Sequence, residues 1–246
     1  MAKNRTCLFC GNDDLSKEHI FAQWLLKELG ITNEDVSMMH TTAIGTEISK
    51  RKHSFSKLVN GLVCKECNNG WMSNLEATCQ FHIINLMNLE KLETEMSFLE
   101  SNSETIAKWA FKNVIMLNSA VNCRRLVPES HYHSLYKGYI PKGVTIDLAF
   151  VSNNQILEWR QSQMILAITD EIIPINFDKF NKNKYVITFQ IKHLLIKVVF
   201  YESDSQTFYE DKGCIRLHPD FGLLKGDIVY DNINKFATQG VIHENK

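Results

Sequence analysis

The chain has 246 residues, enough for one or two domains with cores of their own. Apolar residues make up 44% and charged residues 22%, proportions that exclude disordered, collagenous and disulfide-scaffold classes. With 27 Lys and Arg against 28 Asp and Glu, the formal net charge is -1, so nucleic-acid contact cannot rest on bulk positive charge and must be local.

In chain order, Cys7-x-x-Cys10 comes first, and Cys64-x-x-Cys67 answers it after 53 intervening residues. Two residues between thiolates let both sulfurs of a knuckle reach one Zn2+ at ~2.3 Å, so the pairs predict a structural tetrathiolate zinc site. The start carries no apolar run of the secretory kind, which predicts a cytoplasmic setting where disulfides are the poorer reading. Cys79, Cys123 and Cys214 stand outside any motif and read as small buried apolar residues. The apolar stretch from Leu194 to Phe200 is broken by Lys197 and falls short of the ~20 residues a membrane span needs, so no membrane partner is expected.

Between the knuckles, Phe21, Leu25 and Leu29 with Trp24 predict a short amphipathic helix over 21–29, stopped by Gly30. Residues 31–57 show no clear period and read as a loop with weak strands, carrying Ser49-Lys50-Arg51-Lys52-His53; residues 55–63 read as a hairpin or turn into the second knuckle. From Asn68 a helix is expected through Leu75, Phe81, Ile84 and Leu86 towards Leu92, and Ser101-x-x-Glu104 reads as the capping box of another, with Ile106, Trp109, Ala110, Val114 and Leu117 on one face. His131-Tyr132-His133 reads as an exposed loop rather than a metal pair.

Beyond Gly138 the period changes to two. Val144, Ile146, Leu148 and Phe150 alternate with polar residues, as do Ile187, Phe189 and Ile191 and then Leu194, Ile196, Val198 and Phe200, which predicts half-buried strands with hairpin turns at Asn153-Asn154 and Lys192-His193. Trp71, Trp109 and Trp159 lie in periodic apolar contexts and read as core. The expected class is α+β: an N-terminal zinc domain over 1–76, a helical connecting region over 77–122 and an antiparallel-sheet-rich domain over 123–246 that selects target or partner.

The chemistry lies beside the cysteines. Glu18-His19-Ile20 follows the first pair, and Gly61-Leu62-Val63-Cys64-x-x-Cys67-Asn68 contains the second. Through these residues the first third of the chain resembles the HNH endonucleases, a treble-clef or ββα-metal family, and is similar to members of the endonuclease VII type with a tetracysteine zinc frame. That resemblance implies phosphodiester hydrolysis to 5′-phosphate and 3′-hydroxyl ends by a one-metal mechanism. Glu18 stands where the family's usual residue is Asp, and Asn60 is an offset candidate for the mid-motif asparagine.

The residues also suit that chemistry in themselves. Neighbouring side chains of an extended segment point to opposite sides, so Glu18 can face a metal while His19 faces a water. Glu18 and the amide oxygen of Asn68 form a hard-oxygen pair suited to Mg2+ or Mn2+, and imidazole suits a general base near neutral pH. Glu76, two helical turns past Asn68, reads as a residue that orients others. Lys50, Arg51, Lys52 and Lys57 are the candidate phosphate contacts, although a charge run in a loop is more often simply solvated; Arg124, Arg125 and Arg216 are further candidates, for which surface ion pairs are the preferred reading.

The expected function is therefore a metal-dependent DNA endonuclease. The alternative is a non-catalytic zinc-stabilised module that binds nucleic acid or protein. Expected partners are DNA and either a second copy in a homodimer or a partner protein of an antiviral defence system.

Overall fold

A computed structural model describes residues 5–41, 46–120, 125–153, 155–162, 184–202 and 207–244, and the chain divides into two units, Met1–Glu76 and Ala77–Lys246. Cys123, Arg124 and Asn154, all named above, lie outside the described residues. Among the described residues no helix is long and apolar enough to cross a membrane.

In the first unit, strand β1 (Leu15–His19) leads into helix α1 (Gln23–Glu28). Leu25 and Leu26 are buried on α1, and Gly30 ends it at φ +71°, as the sequence predicts. The expected loop over 31–57 is instead an antiparallel ribbon of β2 (Asp35–Thr41) and β3 (Glu47–Ser54). Its Ser, Thr, His and Lys residues bury no continuous apolar face, so it carries no period-two signature. A single 3-10 turn, Phe55–Lys57, then feeds β4 (Val59–Cys64), which pairs antiparallel with β1; the 55–63 segment is thus a turn and one strand, not a hairpin. Helix α2 (Lys65–Cys67) opens inside the second knuckle and passes through a π-type turn, Asn68–Met72, kinked at Gly70 (φ -93°, ψ -111°), into α3 (Ser73–Leu86). Asn68 therefore sits one turn inside the helical segment rather than at its start.

In the second unit, α4 (Leu92–Ser119) begins nine residues before the expected capping box. Ser101 does not cap: its hydroxyl donates to Ser97 O at 3.1 Å, and the break falls at Asn102 (φ -129°, ψ 19°), leaving a kink where a start was expected. His131-Tyr132-His133 is not a loop but part of α5 (Glu129–Tyr136), with His131 buried and its Nδ1 3.0 Å from the Tyr185 hydroxyl.

The sheet comprises β5 (Val144–Val151), β6 (Leu157–Ser162), β7 (Tyr185–Ile191), β8 (Leu194–Phe200), β10 (Ile215–His218), β11 (Gly222–Leu223) and β12 (Val229–Tyr230), in the order β11-β10-β5-β8-β7-β6 with β12 parallel to β5. A separate pair joins β9 (Thr207–Glu210) to β13 (Val241–Glu244). The turn at Lys192-His193 joins β7 to β8 as predicted, whereas β5 and β6 do not pair as a hairpin, because β5 lies between β8 and β10.

The central strands are buried on both faces, not half-buried. On one face Trp109 of α4 packs towards Phe189. On the other, Ala149, Val151, Leu195 and Cys214 pack with Ile233 and Phe236 of α6 (Ile233–Ala237). Helix α4 thus lies in the same unit and on the same core as the strands. Mixed helix and largely antiparallel sheet make the fold α+β.

Candidate metal centre and active site

Cys7 and Cys10 lie on a turn closed by Gly11 N–H to Cys7 O at 3.0 Å, with Gly11 at φ +81°, a conformation that a side chain would strain. Leu8 N–H donates to Leu62 O at 2.9 Å and fastens this knuckle to β4. The other two thiols come from the end of β4 and the first turn of helix, where Cys64 is the N-cap and its sulfur accepts the Cys67 N–H at 3.4 Å. All four sulfurs lie within 4.8 Å of one another, with Cys10 Sγ 3.4 Å from Cys64 Sγ. Tetrahedral bonds of ~2.3 Å place thiolates about 3.8 Å apart, so the group fits one tetrahedral metal ion such as zinc.

Burial pushes the Cys67 and Cys10 thiols up, whereas Cys7, although burial raises it too, is held below its ordinary value by hydrogen bonds from the backbone of Cys10, Cys64 and Phe9. The buried indole N–H of Trp71 makes no conventional hydrogen bond and acts on Cys67 to favour the thiolate. Its ring meets Phe9 edge-on at 5.4 Å, so Trp71 belongs to the packing around the sulfurs.

Strand β1, paired with the β4 strand that ends at Cys64, carries both the acid and the histidine. Leu15 faces Cys64 and Ser16 faces Val63, but Glu18 faces Asn60 and His19 faces Val59. The register slips because Gly61 and Leu62 oppose Lys17 alone, a bulge of the kind that re-aims neighbouring side chains. Buried Asn60 answers it by accepting the Leu62 N–H on Oδ1 at 2.9 Å. Asn68 reaches β1 from the helical side, with its Nδ2 3.3 Å from the Ser16 hydroxyl, which itself donates to Val63 O at 3.0 Å. Ser16 and Glu18 are two apart on β1 and share a face, so Asn68 sits on the Glu18 side of the strand. Sequence reasoning missed Ser16, and only the fold shows it to be Asn68's partner.

His19 is the last residue of β1 and half-buried. Its Nδ1 lies 3.4 Å from Gln23 Nε2 at the start of α1, and it lines a cavity of about 150 Å3 with Gln23, Leu26, Lys27, Thr32 and Ser56. With the Gln23 amide in the opposite orientation, Nδ1–H donates to its oxygen and Nε2 keeps a lone pair, the form a general base needs. Glu76 braces the same helix, its Oε2 accepting the Trp24 indole N–H at 2.8 Å. Lys50, Arg51 and Lys52 are exposed on β3, not on a loop, and Lys57 is exposed on the 3-10 turn.

In the second unit Asp147, Asp211 and Cys214 also bring metal-type ligand atoms within 4.8 Å of one another. Both carboxylates already face cations: Arg216 Nε and Nη2 donate to Asp147 at 2.5 and 3.2 Å, and Lys197 is paired with Asp211. Burial pushes the Cys214 thiol up, so this cluster is a neutralised structural network. Arg216 is committed to its ion pair with Asp147 rather than to nucleic acid, in line with the ion-pair reading preferred for it, although the pair is internal and not on the surface; Arg125 is exposed. Trp109 is buried and Trp159 half-buried on β6; Cys79 and Cys214 are buried as expected.

No protein-family model, no curated protein and no solved structure matches this chain.

Proposed function

We propose that the first unit is a treble-clef zinc domain of the HNH type, and that the protein is a metal-dependent endonuclease acting on DNA phosphodiester bonds. The observation that carries this reading is the β1–β4 pair, which joins the four-sulfur frame directly to Glu18, His19 and Asn60 and receives Asn68 from the adjoining helix. The donor set of Glu18 carboxylate and Asn68 amide oxygen fits a hard divalent cation. When bound, Mg2+ or Mn2+ supplies neutralising charge at the phosphate and at the leaving oxygen.

The chain's own residues do the rest. Gln23 holds the His19 ring beside the cavity, and Nε2 takes a proton from water as its oxygen bonds to phosphorus. The P–O3′ bond breaks and the 3′ oxygen takes a proton from solvent, leaving 5′-phosphate and 3′-hydroxyl ends. Asn60 holds the bulge that aims the Glu18 and His19 end of β1.

His19→Ala should lower plasmid nicking by about 100-fold or more, the usual scale for loss of a general base, with metal content and melting unchanged. Glu18→Ala and Asn68→Ala should instead raise the Mg2+ concentration needed. Wild-type cutting by the His19 variant, in a preparation cleared of contaminating nuclease, would overturn the reading in favour of a non-catalytic binding module.

A further inference from the structure

We propose that the β2–β3 ribbon is a groove-docking arm for duplex DNA, holding the helix whose strand is cut beside His19. This rests on the nucleic-acid reading above and adds the form of the substrate and the element that grips it. Cross-strand register places Lys50 opposite Met39 and Lys52 opposite Ser37, so these four share one face, while Arg51 pairs with Met38 on the other and Ile48 is the unpaired residue of a bulge. On the first face all four side chains are exposed, Met39 by 56%, and Ile48 in the bulge is exposed by 63%. Arg51 is exposed on the second, among the half-buried Met38 and His53. Lys50, Arg51 and Lys52 form no ion pair among the described residues. Three unneutralised cations in a unit with balanced charge complement a polyanion locally.

The ribbon's root fixes where that polyanion lies. Phe55 N–H donates to Glu34 O at 3.1 Å and closes the ribbon; Ile20 N–H donates to Leu58 O at 2.9 Å and ties the root to the residue after His19. Phe55 is buried against Phe21, ring centroids 6.2 Å apart. At ~3.4 Å per residue, Lys52 and Lys50 stand about 7 and 14 Å beyond Ser54, which spans two to four base pairs of B-form helix. A two-stranded ribbon fits the ~12 Å major groove of B-DNA, whereas the A-form major groove is too narrow to admit it. The exposed Met39, between the lysines on that face, then meets base edges, where thymine methyl groups offer apolar contact.

The test is equilibrium binding of the full chain to a 25-base-pair duplex and to one of its strands, without divalent metal so that nothing is cut, for wild type and K50Q/R51Q/K52Q. The duplex should be held about tenfold or more weaker by the variant at 0.15 M salt, and the slope of log K against log salt should fall by about 2 to 3, close to 0.9 per lost phosphate contact. The single strand should lose clearly less. Unchanged duplex affinity and slope, or an equal loss on the single strand, overturns groove docking; unchanged metal content and circular dichroism certify the variant's fold. A wild type that binds through the ribbon but never cuts refutes the nuclease reading alone, while a variant that cuts and binds duplex as wild type refutes the ribbon alone.

Discussion

The two units bury their chains by different means. The first has few strands and a thin apolar centre around Phe9, Phe21, Leu25, Val63 and Met72, and its two knuckles are far apart in sequence, so a metal held by the four sulfurs would supply the cross-link that small cores need. The second covers a broad sheet on both faces. Its second face holds a row of polar side chains, since Arg216 lies opposite Asp147, Asp147 opposite Lys197 and Lys197 opposite Thr188 across β10, β5, β8 and β7. A metal held by the four sulfurs would concentrate stability at one point, whereas the ion pairs Arg216–Asp147 and Lys197–Asp211 spread it across β10, β5 and β8; the Thr188 hydroxyl, next in the row, is buried without a partner. The contrast extends to the ligand-type atoms: Cys64 of the four-sulfur cluster lies on the strand paired with the one that carries Glu18 and His19, while both carboxylates of the Asp147, Asp211 and Cys214 cluster are paired with cations.

The largest expected effect breaks the first unit alone. Metal analysis should find about one zinc per chain, and Cys64→Ser should release it, because metal binding and folding are coupled in such a frame. Cys64 also caps the helix that carries Asn68, so the loss reaches the site. Fluorescence from Trp24 and Trp71 should report an unfolded first unit while the sheet's circular dichroism persists. Full zinc retention with an unchanged melting profile would remove the metal frame from this account.

A smaller effect should appear in the second unit alone. Lys197 is fully buried, paired with Asp211, and donates to Phe236 O at 2.9 Å and Gln239 O at 2.8 Å, with the Phe236 ring 4.3 Å away. Lys197→Met leaves Asp211 uncompensated and should cost about 3 to 5 kcal/mol in urea unfolding, without loss of zinc. Asp211→Asn on top of it should return part of that stability. If the double variant is the less stable of the two, the buried-charge explanation is wrong.

These networks show what the sequence could and could not disclose. The knuckles, α1 with its Gly30 stop, the apolar face of α4 beyond Ser101 and the apolar positions of β5, β7 and β8 were legible, because each is written in local spacing. Asp147, Lys197, Thr188 and Gln190 alternate with those apolar residues and read as solvated, yet all are buried; Asp147 meets Arg216 and Lys197 meets Asp211, Phe236 O and Gln239 O, partners 14 to 69 residues away that no local pattern records. The ribbon was illegible for the opposite reason, having no buried face to write a period. At the candidate site the residue types of Glu18, His19 and Asn68 were visible, but Asn68's contact with Ser16, the bulge beside Asn60 and the Gln23 contact with His19 arise only when β1 pairs with β4 and α1 folds back.

The smallest expected effect is a near-cancellation with pH inside the second unit. Burial holds His131 down at about 4, among Phe111, Tyr185 and Phe200, against ~6.5 in an unfolded chain. The unfolded state therefore takes up the proton first, and the stability His131 contributes above pH 6.5 is lost as pH falls towards 4. Asp147 works in the other direction. Burial pushes its carboxyl up to about 6, while Arg216 and Lys197 pull it down and Asp211 adds to the rise, so between about 6 and its usual value of 3.8 the folded state takes up the proton first and gains stability as pH falls. Each contribution is at most about 3 kcal/mol from shifts of roughly two units. Over the overlapping window they oppose, and the midpoint of urea unfolding followed by Trp109 and Trp159 should change little from these two groups between pH 6 and 4. His131→Gln, which can still accept the Tyr185 hydroxyl, should unmask the carboxyl and make the second unit gain stability on acidification relative to wild type. Asp147→Asn should steepen the loss. Equal pH slopes in wild type and His131→Gln would mean that this histidine does not set the acid limb.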